Sequence, residues 1–151
     1  MVDMSLAELT MMQKELIGQC GLYIWTPDSK PIEWIFPEDY TSFSAQHSFG
    51  RVYHCIGFDS DYIIIKSNRV ENGYRVDLKG FVPVASTDHY VGDQVIVLVG
   101  SQMGLQGEIC GMGWHTCHKK IIFILKINGK KRSRWYYEED IILCESIEYE
   151  G

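Results

Sequence analysis

The stretch GDQVIVLVGSQMGLQGEI, residues 92–109, reads as the opening hairpin of an antiparallel β unit. Gly92-Asp93 is a turn that feeds an alternating strand, with Val95, Val97 and Val99 on one face. Gly100, Gly104 and Gly107 supply a loop of tight or positive-φ positions, and Glu108, Ile109 and Cys110 begin the return strand. The loop is glycine-rich, but it opens no helix and no Lys-Ser/Thr follows it, which excludes a nucleotide-phosphate cradle.

Downstream, KIIFILKI (120–127) and KKRSRWYY (130–137) flank Asn128-Gly129, a strong two-residue hairpin signal. YYEED (136–140) predicts a tight helical turn, and IILCESIEY (141–149) a closing strand. Upstream, RVYHCIGF and DYIIIKS are strands separated at Asp59-Ser60. Asn72-Gly73 predicts another two-residue hairpin, and Pro83 in KGFVPVA belongs at a strand edge or end. Residues 50–84 therefore read as three or four antiparallel strands, with Asp88 and His89 in the connection that follows. At the N-terminus, Ser5 and Glu8 form a capping box for one short amphipathic helix that Gly18 stops. Leu6, Leu9, Met11 or Met12, and Leu16 are its expected core face. TPDSKP (26–31) is a turn in which Pro fixes φ and Asp28 caps its own backbone; PEDY (37–40) is a short helical turn. Trp25, Trp34 and Phe36 read as core packing in preference to a binding groove.

Gly92, Asp93, Val95, Val97, Gly107 and Ile109 resemble the opening hairpin of the KOW-type SH3-like barrel, in which a G-D-x-V-x-V strand leads through glycines to a G-x-V/I strand. The resemblance covers roughly residues 90–149. It implies a barrel of a kind that contacts RNA or protein, or only holds a domain together. The whole chain also resembles a family of small bacterial proteins with no assigned activity. Gly21, Leu22, Tyr23, Trp25, Trp34, Ile35, Pro37, Glu38, Asp39, Trp114, His115, Arg134, Tyr136 or Tyr137, and Asp140 carry that likeness, with Ile141 in place of its final Leu. The expected fold is mainly β (α+β): a helix over 1–18, an antiparallel β region over 19–88 and an SH3-like barrel over 89–151.

The chain has 151 residues and a net charge of −6, enough length to bury a core without staples. Residues 1–90 carry seven basic and twelve acidic side chains; residues 91–151 carry seven and eight. All seven later cations lie between Lys119 and Arg134, with no acid among them. An acidic bulk argues against general nucleic-acid or membrane binding, while the basic segment keeps a local nucleic-acid contact open. Five irregularly spaced cysteines and no secretory leader predict reduced thiols in a cytosol, and no segment is apolar enough to span a membrane.

GMGWHTCHKK (111–120) holds two histidines and a thiol within four positions. Cys117 beside His118 and near His115 has the residue types of a nucleophile with its base, without any family motif around it. Cys110, His115, Cys117 and His118 are the candidate zinc ligands, but C-x4-H-x-C-H is not finger spacing. The expectation is therefore no catalytic residue, no metal and no cofactor, with the cluster a polar turn at a barrel end. The acidic pairs Asp59/Asp61 and Glu138/Glu139/Asp140 read as turn caps. Trp114, His115, Cys117, His118, Lys130, Lys131, Arg132, Arg134 and Trp135 form the candidate binding edge. The expected role is a small cytosolic, non-catalytic protein that binds another protein. An immunity-like role, masking a basic partner, follows by analogy from size and charge. The alternatives are a nucleic-acid module using hairpin 119–134, and a metal protein or enzyme around His115, Cys117 and His118.

Overall fold

Ser5 starts the first helix through its side chain: Ser5 Oγ accepts the Glu8 N–H at 3.1 Å. In the computed structural model, which describes residues 5–48 and 50–144, this helix, α1, spans Leu6–Leu16. Its buried residue is Gln13, 1 % exposed, whose amide donates to the carbonyls of Ser60 (2.9 Å) and Tyr62 (3.4 Å). Leu9 and Leu16 pack on the core, but Leu6, Met11 and Met12 are exposed, which corrects the expected core face. The helix lies over a β-turn whose carbonyls require a donor, so an amide occupies the place an apolar stripe would assign to methionine.

The protein is mostly β, with two five-stranded antiparallel sheets. The chain folds as two compact units: the described residues up to 66 together with 71–86, and residues 67–70 together with those from 87 onward. The first unit contains β1 (Cys20–Tyr23), β2 (Tyr53–Asp59), β3 (Tyr62–Lys66), β4 (Tyr74–Asp77) and β5 (Phe81–Ala85), in the order β4-β3-β2-β1-β5. Pro83 lies on the edge strand β5, where a missing N–H costs no ladder bond. Asn72-Gly73 does not close a two-residue hairpin. Ile65 already pairs with Tyr74, and the intervening chain makes a longer excursion in which residues 67–70 belong to the second unit. Between β1 and β2 lie the 3₁₀ turns Ile32–Trp34 and Pro37–Asp39 and the helix α2, Tyr40–Gln46. The expected PEDY turn thus continues into a full helix, which buries Phe43 beside Trp25 and Tyr23. The 26–31 turn is closed by backbone bonds: the Thr26 carbonyl accepts from the N–H groups of Ser29 and Lys30. Trp25 is core, while Trp34 and Phe36 are half-buried.

The second unit contains β6 (Gln94–Val97), β7 (Gln106–His115), β8 (Lys120–Ile127), β9 (Lys130–Tyr136) and β10 (Ile141–Leu143), in the order β10-β6-β7-β8-β9. Val95, Val97, Ile109, Phe123, Leu125 and Ile127 are fully buried; Val99 leaves the strand to precede a 3₁₀ turn at Gly100–Gln102. Asn128 (φ 54°) and Gly129 (φ 75°) make the expected hairpin, and Glu138–Asp140 the expected tight turn. Residues 145–149 of the expected closing strand lie outside the described residues. The G-D pair has a specific task. Gly92 takes φ 99°, and the Asp93 carboxylate accepts from the Tyr90 N–H (3.0 Å) and the Arg69 guanidinium (2.8 and 2.9 Å). Burial alone would raise the Asp93 carboxyl, but these bonds and the Arg69 charge hold it below the usual carboxylate value.

Both units follow one strand plan, in one register. Each is a four-strand meander whose fifth strand returns beside the first, and a 3₁₀ turn precedes that fifth strand in both (Leu78–Gly80 and Glu138–Asp140). Gly18 N–H donates to Cys55 O, and Cys55 N–H to Gln19 O; likewise Gly92 N–H donates to Ile109 O, and Ile109 N–H to Asp93 O. Gly18 (φ 90°) and Gly92 (φ 99°) share the left-handed conformation that the bond pair requires. The second strand of each unit breaks register at the same place, between Cys55 and Gly57 and between Ile109 and Gly111. Ile24 N–H reaches Gly80 O as Leu98 N–H reaches Asp140 O. The units differ in the connection between their first two strands: residues 24–52 in one, 98–105 in the other.

Candidate functional site

The first unit has a cleft of about 610 Å³ lined by Glu38, Asp39 and Ser42 before β2, Asp59 at the end of β2, Ile64 on β3, and Glu71 to Arg75. The 24–52 connection builds one wall. Ile35 bridges to Val76, and Phe36 N–H donates to Arg75 O at 3.0 Å, so this segment lies along the outer edge of β4. Pro37 then turns the chain, and Asp39 folds back: its carboxylate accepts from the Arg75 N–H (2.8 Å), Nε (3.0 Å) and Nη2 (3.2 Å). The guanidinium stacks 3.8 Å over the Phe36 ring. Burial would raise the Asp39 carboxyl, but the Arg75 bonds and charge outweigh it and hold it below the usual value. Arg75 is thereby committed to Asp39, at longer range from Glu38 (4.0 Å) and Asp59 (3.9 Å). Three carboxylates, those of Asp39, Glu38 and Asp59, stand around one guanidinium, Glu71 also lines the cleft, and Glu38 is 80 % exposed. Nothing in the chain's motifs singled out this cleft. The usable signal was W-I-F-P-E-D followed at a distance by a lone Arg in a strand.

The second unit brings together part of the edge the sequence nominated. β7 ends at His115, and the turn back to β8 carries Lys119 at φ 54°. His118 N–H donates to His115 Nδ1 at 3.1 Å, and the two rings stack at 4.1 Å, 8° from parallel. Trp135, 52 % exposed, meets His115 edge-on at 5.8 Å. His118 Nδ1 lies 2.9 Å from Tyr137 Oη, and Lys120 sits over the Tyr137 ring while pairing with Glu139 at 3.1 Å. Trp114 is half-buried and alternates to the other face of β7 from His115. On β9, Lys130, Lys131 and Arg134 are exposed, and Arg132 is half-buried and donates to Ile127 O. Arg134 lies against Gly100, where any Cβ would meet its guanidinium.

Cys117 is exposed on the turn, and Cys110 sits apart at the β7 bulge, so the proposed four-ligand set is not assembled. Among the described residues, no group of three or more His, Cys, Asp or Glu is placed to hold a metal ion. A thiol meets an imidazole elsewhere: Cys20 Sγ lies 3.3 Å from His54 Nδ1 across the β1–β2 pair. Both residues are buried, so this dyad is closed to a substrate from solvent. Burial likewise pushes the Cys55 thiol up to about 11. No helix among the described residues is long and apolar enough to cross a membrane.

No curated protein and no solved structure matches this chain. A family model matches residues 12–142, spanning both sheets and both candidate surfaces, and the chain therefore belongs to that family, a family of unknown function (DUF6960).

Proposed function

We propose that this chain is a non-catalytic protein-binding protein whose first unit receives a cationic side chain of its partner in the acidic cleft. The observation that carries this reading is the cleft of about 610 Å³, lined by four acidic residues and by one guanidinium that Asp39 already engages. An entering Lys or Arg meets the carboxylates of Glu38 and Asp59, which stand 4.0 and 3.9 Å from the Arg75 guanidinium, with Glu71 also in the lining. Charge pairs there are screened less than on an open surface. The acidic balance of residues 1–90 supports the same sign of partner, since it steers a basic protein toward the chain. Masking of a basic partner, as an immunity protein does, fits this charge and size in a cytosolic setting. The shared strand plan supports reading both units as SH3-like barrels, the second of KOW type, used as binding modules in tandem.

Isothermal titration of the full chain with an Arg/Lys-rich peptide at low salt tests the reading. We expect saturable binding that weakens about tenfold or more in Asp59→Lys/Glu71→Lys, with the fold intact by circular dichroism. Unchanged affinity in that variant rules out the cleft as the binding site.

A further inference from the structure

The two units treat the same edge differently. In the first, β4 is a sheet edge, and residues 35–39 of the same chain cover it. In the second, β9 occupies the equivalent position: Trp135 pairs with Ile124 as Arg75 pairs with Ile64, and Tyr136 with Phe123 as Val76 with Ile63. In that register the N–H and C=O of residue 75 face outward, to Asp39 and to Phe36. The matched pairing of Trp135 and Tyr136 implies the same outward direction for the Trp135 N–H and C=O, next to a register shift between Ile124 and Lys126. The shorter 98–105 connection reaches β9 at the Arg134 side chain, which lies against Gly100, and Trp135 remains half exposed.

We infer that the outer edge of β9 is a docking site for an extended, acidic segment of a partner protein, added antiparallel to β9 with an apolar side chain against Trp135. The polarity follows from the internal precedent. In the first unit the apolar residues Ile35 and Phe36 come first, and the carboxylates Glu38 and Asp39 follow as the chain passes residue 75. An antiparallel segment placed the same way on β9 runs from Tyr136 toward Arg134, Arg132, Lys131 and Lys130. These are four cations in a strand that holds no carboxylate. An apolar-then-acidic sequence thus meets an aromatic and then a run of positive charge. Backbone bonds along the edge supply affinity, and the charges set direction.

The test uses the full chain and, as probe, a capped peptide with the sequence of residues 33–40, Glu-Trp-Ile-Phe-Pro-Glu-Asp-Tyr. A second peptide has both carboxylates after the proline changed to lysine. Amide-resolved NMR titration should shift β9 amides and the Trp135 indole N–H with the acidic peptide. Binding should be about tenfold weaker for the charge-reversed peptide, and for Lys130→Glu/Lys131→Glu. Because the peptide reversal leaves the protein unchanged, a variant that fails to fold does not blunt the result. Four outcomes overturn the inference: equal binding of both peptides, shifts confined to other strands, no binding (the lysines then only guard the edge against pairing), or tighter capture of single-stranded oligonucleotide on the same amides.

Discussion

At the residue scale, close approaches and one buried carboxylate fix the geometry. Gly21 lies so near β5 that any Cβ there would fall onto the Val82 carbonyl oxygen and within 2.8 Å of the Phe81 ring. Gly21→Ala should therefore cost about 1–3 kcal/mol, read as a lowered denaturant midpoint. Asp93 is the second such residue. Its carboxyl is held below its unfolded value, so its stabilisation is complete above the ordinary carboxylate range and is lost as pH falls through the folded value. Asp93→Asn should destabilise by about 1–3 kcal/mol at pH 7, and the gap to the parent should narrow toward pH 3 in paired thermal melts. A pH-independent gap would show that the charge of Asp93 contributes nothing. The Gly-Asp turn was readable in the sequence because a left-handed glycine and a capping acid leave a composition signature. The partner of that acid, Arg69, was not, since it lies 24 residues away across the first unit's strand excursion.

At the element scale, the sequence signals that succeeded are those with local causes. The Ser5 cap, the Asn128-Gly129 turn and the alternation in β6 each depend on neighbours a few residues apart. Gly129 takes φ 75° with open space where a Cβ would stand, so Gly129→Ala should cost about 1 kcal/mol through backbone conformation alone. Urea titration checks it, and a loss well above that would mean the turn has a packing role. The failures have tertiary causes. Met11 and Met12 satisfy the helical spacing but face outward, because the buried position of α1 serves carbonyls of the β2–β3 turn. Asn72-Gly73 carries a hairpin signal, but the strand pairing had already fixed a longer connection. Only the turn that leads into α2 was read, since Phe43 declares itself as core only when Trp25 and Tyr23 are brought beside it.

At the scale of the whole molecule, the mainly β class was legible from alternation and turn residues, whereas the repeated strand plan was not. The two units share hydrogen-bond register at Gly18/Gly92 and a bulge at Cys55–Gly57/Ile109–Gly111, yet the residues at most equivalent positions differ. Backbone register is set by pleat and turn geometry, which many side chains satisfy, so a repeat of plan leaves almost no repeat of letters. The plan predicts that Gly18→Ala and Gly92→Ala each cost about 1 kcal/mol, with hydrogen exchange accelerated at Cys55 in the first and at Ile109 in the second. The candidate site was legible only in part. The sequence pointed to His115, His118 and Trp135, which do meet, but the acidic cleft is assembled by a fold-back of residues 35–39 onto β4. Titration of the full chain with an Arg/Lys-rich peptide, repeated from low to high salt, bears most directly on the proposed role. Cleft binding predicts saturable affinity that falls steeply with salt and is lost in Asp59→Lys/Glu71→Lys. Absent binding, or affinity indifferent to both salt and charge reversal, would contradict it.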